Sequence, residues 1–177
     1  MRRLLITLLG IAVAGLAACS QPGMPTDKLV VGQVVPDIAL VGVNGSSARL
    51  SDYRGRLVVL NLWATWCEPC RREMPNLQQL GDALDPQDFA VVGVAADEDE
   101  HLVREYLLDK QVTFPNYIDK TQQVSREQLG VQIFPYTLLI APDGRLIQRF
   151  AGPREWQRSD VIELLRRAHA GDYSGLQ

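Results

Sequence analysis

Cysteine and histidine are both scarce in this sequence, with three cysteines and two histidines among 177 residues. Cys67 and Cys70 form a closely spaced pair and Cys19 stands near the N-terminus, so no thiol remains for a framework of structural disulfides. A structural zinc site needs about four ligands, and His101 and His169 lack the spacing that would complete one. We therefore expect neither a disulfide-stapled scaffold nor a resident metal or other cofactor.

Positive charge is also in short supply. Lys and Arg number 18 against 21 Asp and Glu, which gives a net charge of −3 at pH 7. Loss of Arg2 and Arg3 with the leader described below would make the chain more acidic still. An acidic protein without a basic stripe is poorly suited to bind nucleic acid, so no nucleic-acid partner is expected. The sequence contains neither internal repeats nor low-complexity segments.

The N-terminus carries one long apolar run. Arg2 and Arg3 precede an apolar segment over 4–18 that Thr7 alone interrupts with a polar side chain. This pattern is typical of a secretory signal, and it is too short to span a membrane comfortably. Residues 1–18 are therefore predicted to be a signal peptide.

The end of this run, Leu16-Ala17-Ala18-Cys19, resembles a bacterial lipobox. The resemblance implies that Cys19 is lipidated and becomes the first mature residue. Cleavage after Ala18 without lipidation is the alternative, and it would leave Cys19 as an unpaired thiol in an exported protein. Ser20 at the next position is compatible with sorting to an outer membrane.

The composition changes after Cys19. Residues 19–29 are rich in proline and polar side chains, which is typical of a flexible tether. The remaining length suits one domain with its own core, predicted over 30–177.

The hydrophobic pattern predicts alternating strands and helices. Residues 38–50 indicate a hairpin around Asn44-Gly45. Further strands are predicted over 57–62, 88–95, 137–141 and 145–150, and helices over 68–84, from Asp97, over 121–129 and from Ser159. The acidic residues over 97–100 are interpreted as the start of a helix, where the dipole favours them, rather than as a metal site. This order predicts a mixed central sheet with helices on both faces.

The central feature is the junction of a strand and a helix over 57–74. An unbroken apolar run over 57–60 is typical of a buried parallel strand. The helix follows at once, so Cys67 lies at its N-terminus, where free N–H groups and the positive dipole end lower the pKa of a thiol. Cys70 is one turn further along the same face, within reach of a disulfide. The sequence predicts a dithiol that opens and closes, with Cys67 exposed and activated.

The segment Trp63–Pro75 (WATWCEPCRREMP) resembles the active-site segment of the TlpA/ResA family, and residues 129–144 (LGVQIFPYTLLIAPDG) resemble its second block. The likeness covers about residues 34–168. It implies an α/β, thioredoxin-like fold, a mixed central sheet flanked by helices, here with an N-terminal β-hairpin extension. It also implies a thiol–disulfide oxidoreductase, and a cis peptide bond before Pro135. Tyr136 and the bulky Phe134 depart from the family pattern and bear on which substrates fit.

The resemblance also assigns roles. Cys67 attacks a disulfide and Cys70 resolves the mixed disulfide. Glu73 handles protons for the buried cysteine; the alternative is a solvated helix carboxylate. Asn61 stands where ordinary thioredoxins carry a titratable Asp, which leaves Glu73 as the candidate base. Pro135, beside the dithiol, presents the backbone of the preceding residue to a substrate strand.

The surface that meets the substrate is predicted to include Trp66, Glu68, Pro69, Phe134 and Pro135. Trp63 is expected to join the first of these in an apolar rim, although a core tryptophan has the same pattern. The charge of Glu68 opposes thiolate formation at the neighbouring sulfur, which favours a reductant over a strong oxidant.

These expectations combine into one functional hypothesis. The chain is predicted to be a lipid-anchored, periplasm-facing reductase of protein disulfides, monomeric, re-reduced by a transmembrane electron donor and acting in cytochrome c or copper-site maturation. The first alternative is a thioredoxin-fold metallochaperone that binds Cu(I) through the Cys67 and Cys70 thiolates. The second is a thiol peroxidase, which needs its cysteine in a different sequence setting.

Overall fold

A computed structural model describes residues 28–176 of the chain. The signal peptide, most of the tether and Cys19 lie outside the described residues, and their assignment stays a prediction. The strands are β1 (Ala39–Gly42), β2 (Ser47–Arg49), β3 (Leu57–Trp63), β4 (Phe89–Ala95), β5 (Asn116–Ile118), β6 (Tyr136–Ile140) and β7 (Leu146–Ala151). The α-helices are α1 (Glu68–Ala83), α2 (Glu100–Asp109) and α3 (Ser159–His169). The chain also has a 3-10 helix (Leu50–Tyr53) before β3 and a π-helical turn (Gln123–Gln128) before β6.

The strands form one mixed sheet in the order β2-β1-β5-β4-β3-β6-β7. Every residue of β3 and β4 is buried, as expected for apolar strands covered on both faces. β3 runs parallel to β4 and antiparallel to β6, with Asn61 opposite Thr137. The carboxyl end of β3 therefore lies beside the start of β6, and this juxtaposition creates the functional site.

The N-terminal hairpin is present as predicted, because β1 and β2 pair around the turn that contains Gly45, whose φ is +81°. The prediction missed the short strand β5, which lies between the hairpin and the core strands. It pairs parallel with β4 and antiparallel with β1. A second local error concerns residues 121–129, where the structure has a π-helical turn rather than an α-helix.

Two apolar layers cover the sheet. One contains the buried faces of all three α-helices, with residues such as Met74, Val103 and Leu165. The other is built from the N-terminal segment, the 3-10 helix and the residues after the π-helical turn, including Leu29, Tyr53 and Val131. The predicted mixed sheet flanked by helices is confirmed, with all three α-helices on one face and, among the described residues, only the 3-10 helix and the π-helical turn on the other. Within residues 28–176, no helix combines the length and hydrophobicity needed to cross a bilayer.

The N-terminal segment also covers the outer side of β7. The Gly32 N–H donates to the Leu146 carbonyl oxygen at 2.8 Å, and the Leu146 N–H donates to the Gln33 oxygen at the same distance. Further along β7, the Gln148 amide nitrogen donates to the carbonyl oxygen of Leu176 near the C-terminus, at 2.7 Å. Both ends of the described chain thus pack against this strand.

Candidate active site

The two cysteines lie at the corner where β3 leads into α1. Cys67 is the N-cap residue of α1, and Pro69 lies in its first turn. The cysteines are joined by a disulfide with an S–S distance of 2.05 Å. The backbone N–H of Cys70 donates to Cys67 Sγ at 3.3 Å. The predicted pair is therefore present in its oxidised form, with the helix N-terminus directed at the first sulfur.

The two sulfurs differ in access to solvent. Cys67 keeps 7% of its surface exposed and Cys70 keeps none. The expectation of an exposed Cys67 is wrong for the disulfide form, because this residue belongs to the apolar layer against which Phe134 packs. An attacking partner can still approach Cys67 but not Cys70. The helix N-terminus would stabilise a thiolate at the same position after reduction.

The proline loop borders the disulfide corner. The Phe134–Pro135 peptide bond is cis, as the resemblance implied. Pro135 is buried, Phe134 is half-buried, and Trp66 is 60% exposed. The Trp66 and Phe134 rings meet edge-on with centroids 5.9 Å apart. Trp66 and Phe134 therefore form an apolar surface beside the disulfide, whereas the rim predicted from the sequence paired Trp66 with Trp63. Trp63 does not contribute to it, because it is fully buried and donates from Nε1 to Asn116 Oδ1 at 3.0 Å.

Glu68 lies on the exposed side of the first turn of α1. It pairs with Arg72 one turn later, and both side chains are largely exposed to solvent. The arginine partly offsets the negative charge that was expected to disfavour the neighbouring thiolate. A solvent-exposed pair of this kind is weak, so Glu68 remains a modest influence on the disulfide corner.

Glu73 is a buried carboxyl group, with 1% of its surface exposed. Its Oε1 accepts hydrogen bonds from Trp156 Nε1 at 2.6 Å and from the Arg154 backbone N–H at 3.0 Å. Its Oε2 accepts from Asn61 Nδ2 at 3.2 Å, and the same nitrogen donates to Thr137 Oγ1 at 2.9 Å. The alternative of a solvated helix carboxylate is therefore wrong.

Burial raises the pKa of Glu73 above its ordinary value, since a charged carboxylate loses its hydration inside the protein. The hydrogen bonds from Trp156, the Arg154 backbone and Asn61 lower the pKa, but they do not cancel the effect of burial. Glu73 therefore binds a proton at a higher pH than an exposed glutamate does. A carboxyl group of this kind, one helical turn from Cys70, is suited to general acid–base work.

Comparison with known proteins places this site in a family. The AhpC/TSA family profile matches residues 31–149. The thiol-disulfide oxidoreductase ResA of Geobacillus thermodenitrificans is 34% identical, over 85% of this chain and 86% of its own. ResA of Geobacillus kaustophilus is 37% identical, over 70% and 71% of the two chains. This chain belongs to the ResA-type thiol–disulfide oxidoreductases.

Solved structures of thioredoxin-fold redox proteins resemble the fold of this chain. A DsbE-type thiol:disulfide interchange protein from Chlorobium tepidum superposes with a TM-score of 0.71 at 30% identity, covering 80% of this chain and 98% of its own. A DsbF homologue from Corynebacterium diphtheriae gives a TM-score of 0.66 at 28% identity, covering 76% and 85%. The predicted family, fold and enzyme class are confirmed. The roles of the individual site residues stay predictions.

Asp97 supports the active-site loop of this oxidoreductase, whereas the sequence pattern predicted a different role for it. It was expected to mark a helix start, but α2 begins at Glu100 with Asp99 as its cap. Asp97 is instead buried and accepts from the Thr65 backbone N–H at 3.0 Å and from the Thr65 hydroxyl at 2.5 Å. It thereby anchors the loop between β3 and Cys67. Trp156 was also missed, because its contact with Glu73 spans 83 positions of sequence.

A groove of about 750 Å³ opens beside Glu73, on the side where Trp156 lies. Its walls include Glu73, Trp156 and Phe150, and its rim carries Arg72 and Arg154. The two cysteines do not line it. In the described part of the chain, His, Cys, Asp and Glu side chains form no group of three or more that could hold a metal ion. The Cu(I) alternative therefore has two candidate thiolate ligands, and it stays untested.

Proposed function

We propose that this oxidoreductase reduces protein disulfides outside the cytoplasm, with Cys67 as the attacking sulfur and Cys70 as the resolving sulfur. The observation that carries the proposal is the asymmetry of the pair. Cys67 caps α1 beside the cis-proline loop and retains the contact with solvent, whereas Cys70 is sealed. An intermolecular partner can reach the first sulfur, and an intramolecular attack suits the second.

The exchange runs in two balanced steps. The Cys67 thiolate attacks one sulfur of a substrate disulfide, which forms a mixed disulfide and releases the other substrate sulfur as a thiolate. Cys70 then gives its proton to Glu73 and attacks Cys67 Sγ. This attack forms the Cys67–Cys70 bond and releases the second substrate sulfur as a thiolate, which takes its proton from Glu73 or from solvent. The structure corresponds to the end of this cycle, so an electron donor must reduce the pair again.

The direction of electron flow can be measured in the cell. Acid quenching followed by alkylation with a maleimide of defined mass separates the dithiol from the disulfide on a gel. Because the chain is proposed to be a reductase, we expect Cys67 and Cys70 to be mostly reduced in growing cells, and to accumulate as the disulfide when the cellular supply of reductant is blocked. A Cys67→Ser, Cys70→Ser double variant gives the unmodified reference band. A pair that is mostly oxidised in untreated cells would indicate an oxidase instead.

We further propose that the chain is held at a membrane through lipid on Cys19, facing the periplasm. The support is the lipobox-like sequence before Cys19 and the proline-containing tether after it. Labelling of cells with radioactive palmitate is expected to mark the wild-type chain and to mark Cys19→Ala at background level only. Cys67→Ala is the control and keeps the label. Equal labelling of wild type and Cys19→Ala would disprove the anchor without affecting the redox chemistry.

The substrates of this site are proposed from its shape. The exposed Trp66 and the half-buried Phe134 offer an apolar contact beside Cys67 for an extended polypeptide. Cysteine pairs of apocytochromes c and of copper-binding proteins are the class that the TlpA/ResA resemblance suggests. We propose these as targets, with the donor a membrane protein that delivers electrons from the cytoplasm.

A further inference from the structure

The two oxygens of Glu73 have different surroundings. Oε1 accepts from the Trp156 indole and from the Arg154 backbone N–H, at 2.6 and 3.0 Å. Oε2 has the longer contact of 3.2 Å, with Asn61 Nδ2. Both donors to Oε1 come from the segment between β7 and α3, whereas Asn61 belongs to β3. One oxygen is thus held from the groove side and the other faces the central sheet.

We propose that Trp156 is a positioning residue for the exchange reaction: its indole N–H holds Oε1, so that Oε2 is the oxygen that takes up and releases the proton. This inference rests on the proposed function of Glu73 as the base for Cys70. A carboxyl oxygen that already accepts two hydrogen bonds gains little from binding a proton. The proton therefore resides on Oε2, at the sheet side of the carboxyl group.

Asn61 supplies the matching group on that side. Its Oδ1 is buried and has no hydrogen-bond partner, while its Nδ2 serves both Glu73 and Thr137. The amide orientation suits a carboxylate. When Oε2 carries a proton, a half-turn of the amide presents Oδ1 instead, and Oδ1 can accept from Oε2–H and from the Thr137 hydroxyl. The buried orphan oxygen is thereby explained as the acceptor for the protonated state.

Trp156 is held firmly enough for this role. Only 2% of its surface is exposed, and its ring packs edge-on against Phe150 with centroids 5.5 Å apart. The same segment is tied to the proline loop, because the Gly152 N–H donates to the Pro135 carbonyl oxygen at 2.9 Å. The segment over 152–156 therefore connects the proline loop to the proton-handling carboxyl group.

The charged and titratable groups around Glu73 come from four parts of the fold. α1 contributes Cys70 and Arg72, β7 contributes Arg149, the segment between β7 and α3 contributes Arg154, Glu155 and Arg158, and the first turn of α3 contributes Asp160. The two strands at Oε2 contribute neutral side chains. Arg154 acts on the pKa of Glu73 through its charge and lowers it. Its guanidinium stacks on Phe150 at 4.2 Å from the ring centroid, so Trp156→Phe leaves the ring beneath this charge intact.

The test isolates the resolution step. Reduced protein is mixed with oxidised glutathione, and acid-quenched mass spectrometry follows the decay of the protein–glutathione mixed disulfide across pH. Trp156→Phe removes the N–H donor, which raises the pKa of Glu73 and leaves Oε1 with only the Arg154 N–H, so that Oε1 can compete with Oε2 for the proton. We expect resolution to slow by about tenfold at pH 7, and its pH profile to move to higher pH.

Trp63→Phe is the matched control, because it also removes an indole N–H from a buried side-chain oxygen, in this case the amide oxygen of Asn116. It is expected to lower the melting temperature without moving the pH profile. In a Glu73→Gln background, Trp156→Phe should change the rate less than about twofold, as expected for residues that act as one unit.

The inference is overturned if Trp156→Phe loses stability but keeps the wild-type pH profile, or if its effect persists unchanged in the Glu73→Gln background. If phenylalanine prevents folding, benzothienylalanine at position 156 keeps the shape of tryptophan without its N–H, and the same outcomes apply. Failure of the proposed function looks different, because the wild-type protein would then form no mixed disulfide that Cys70 resolves.

Discussion

Cys67→Ala is expected to abolish the reduction of protein disulfides by the purified domain, with a loss on the order of a thousandfold or more. The reason is that the remaining thiol cannot replace it, since Cys70 has no exposed surface and lies inside the first turn of α1. The measurement is the initial rate of insulin reduction with dithiothreitol as the electron source, after subtraction of the rate without protein.

A second variant distinguishes the roles of the two sulfurs. Cys70→Ala retains Cys67, the sulfur that a partner can reach, but lacks the resolving thiol, so we expect it to accumulate a mixed disulfide with the substrate that a non-reducing gel reveals. Cys19→Ala, made in a chain that retains this residue, is the control for loss of a thiol outside the site and is expected to keep the wild-type rate of insulin reduction. Full activity in Cys67→Ala would show that the assignment of the nucleophile is wrong.

Glu73→Gln is expected to give the second-largest effect, a loss of about a hundredfold in the rate of resolution at pH 7. Glutamine fits the same place, since its carbonyl oxygen can accept from Trp156 and from the Arg154 N–H. It cannot take a proton from Cys70. The rate of the variant should then follow the ionisation of the Cys70 thiol alone, at higher pH. An exposed glutamate on α2, Glu105, provides the control Glu105→Gln. An unchanged pH profile in Glu73→Gln would remove Glu73 from the mechanism.

The same substitution changes the dependence of stability on pH. Burial raises the pKa of Glu73 in the folded state, so the folded protein binds the proton more tightly than the unfolded chain. Below the ordinary pKa of glutamate both states are protonated and there is no penalty. As the pH rises from there through the raised pKa, the wild type loses stability. Glu73→Gln should therefore become more stable relative to wild type over that window, as denaturant titrations at several pH values would show.

The disulfide corner could be predicted from sequence because its determinants are local. A buried strand, a helix start and two cysteines three positions apart all lie within residues 57–74. The structure has β3, α1 and the bond between Cys67 and Cys70 there. The cis peptide bond before Pro135 was predicted from a family sequence block of similar length, and the structure has it. Sequence patterns of this kind can be recognised without knowledge of the tertiary structure.

The errors share a different cause. β5 has three residues, Asn116–Ile118, which is too short for any alternation of polar and apolar side chains to be recognised. Asp97 resembles its acidic neighbours in sequence, and only its burial beside Thr65 distinguishes it. Trp156 reaches Glu73 across the fold. Contacts between distant positions depend on packing, which single-sequence patterns do not encode.

The covering of β7 has a consequence for how other polypeptides can join this sheet. An open edge strand is a template for an additional chain, which could be a substrate or a second copy of the protein. Residues 32–33 occupy the hydrogen-bonding groups of Leu146, and the Gln148 side chain bonds to the C-terminal backbone. Strand addition at this margin would first require residues 32–33 to be displaced from Leu146. The β7 edge is thus closed to a second chain, and the proposed substrate contact at Trp66 and Phe134 does not depend on it.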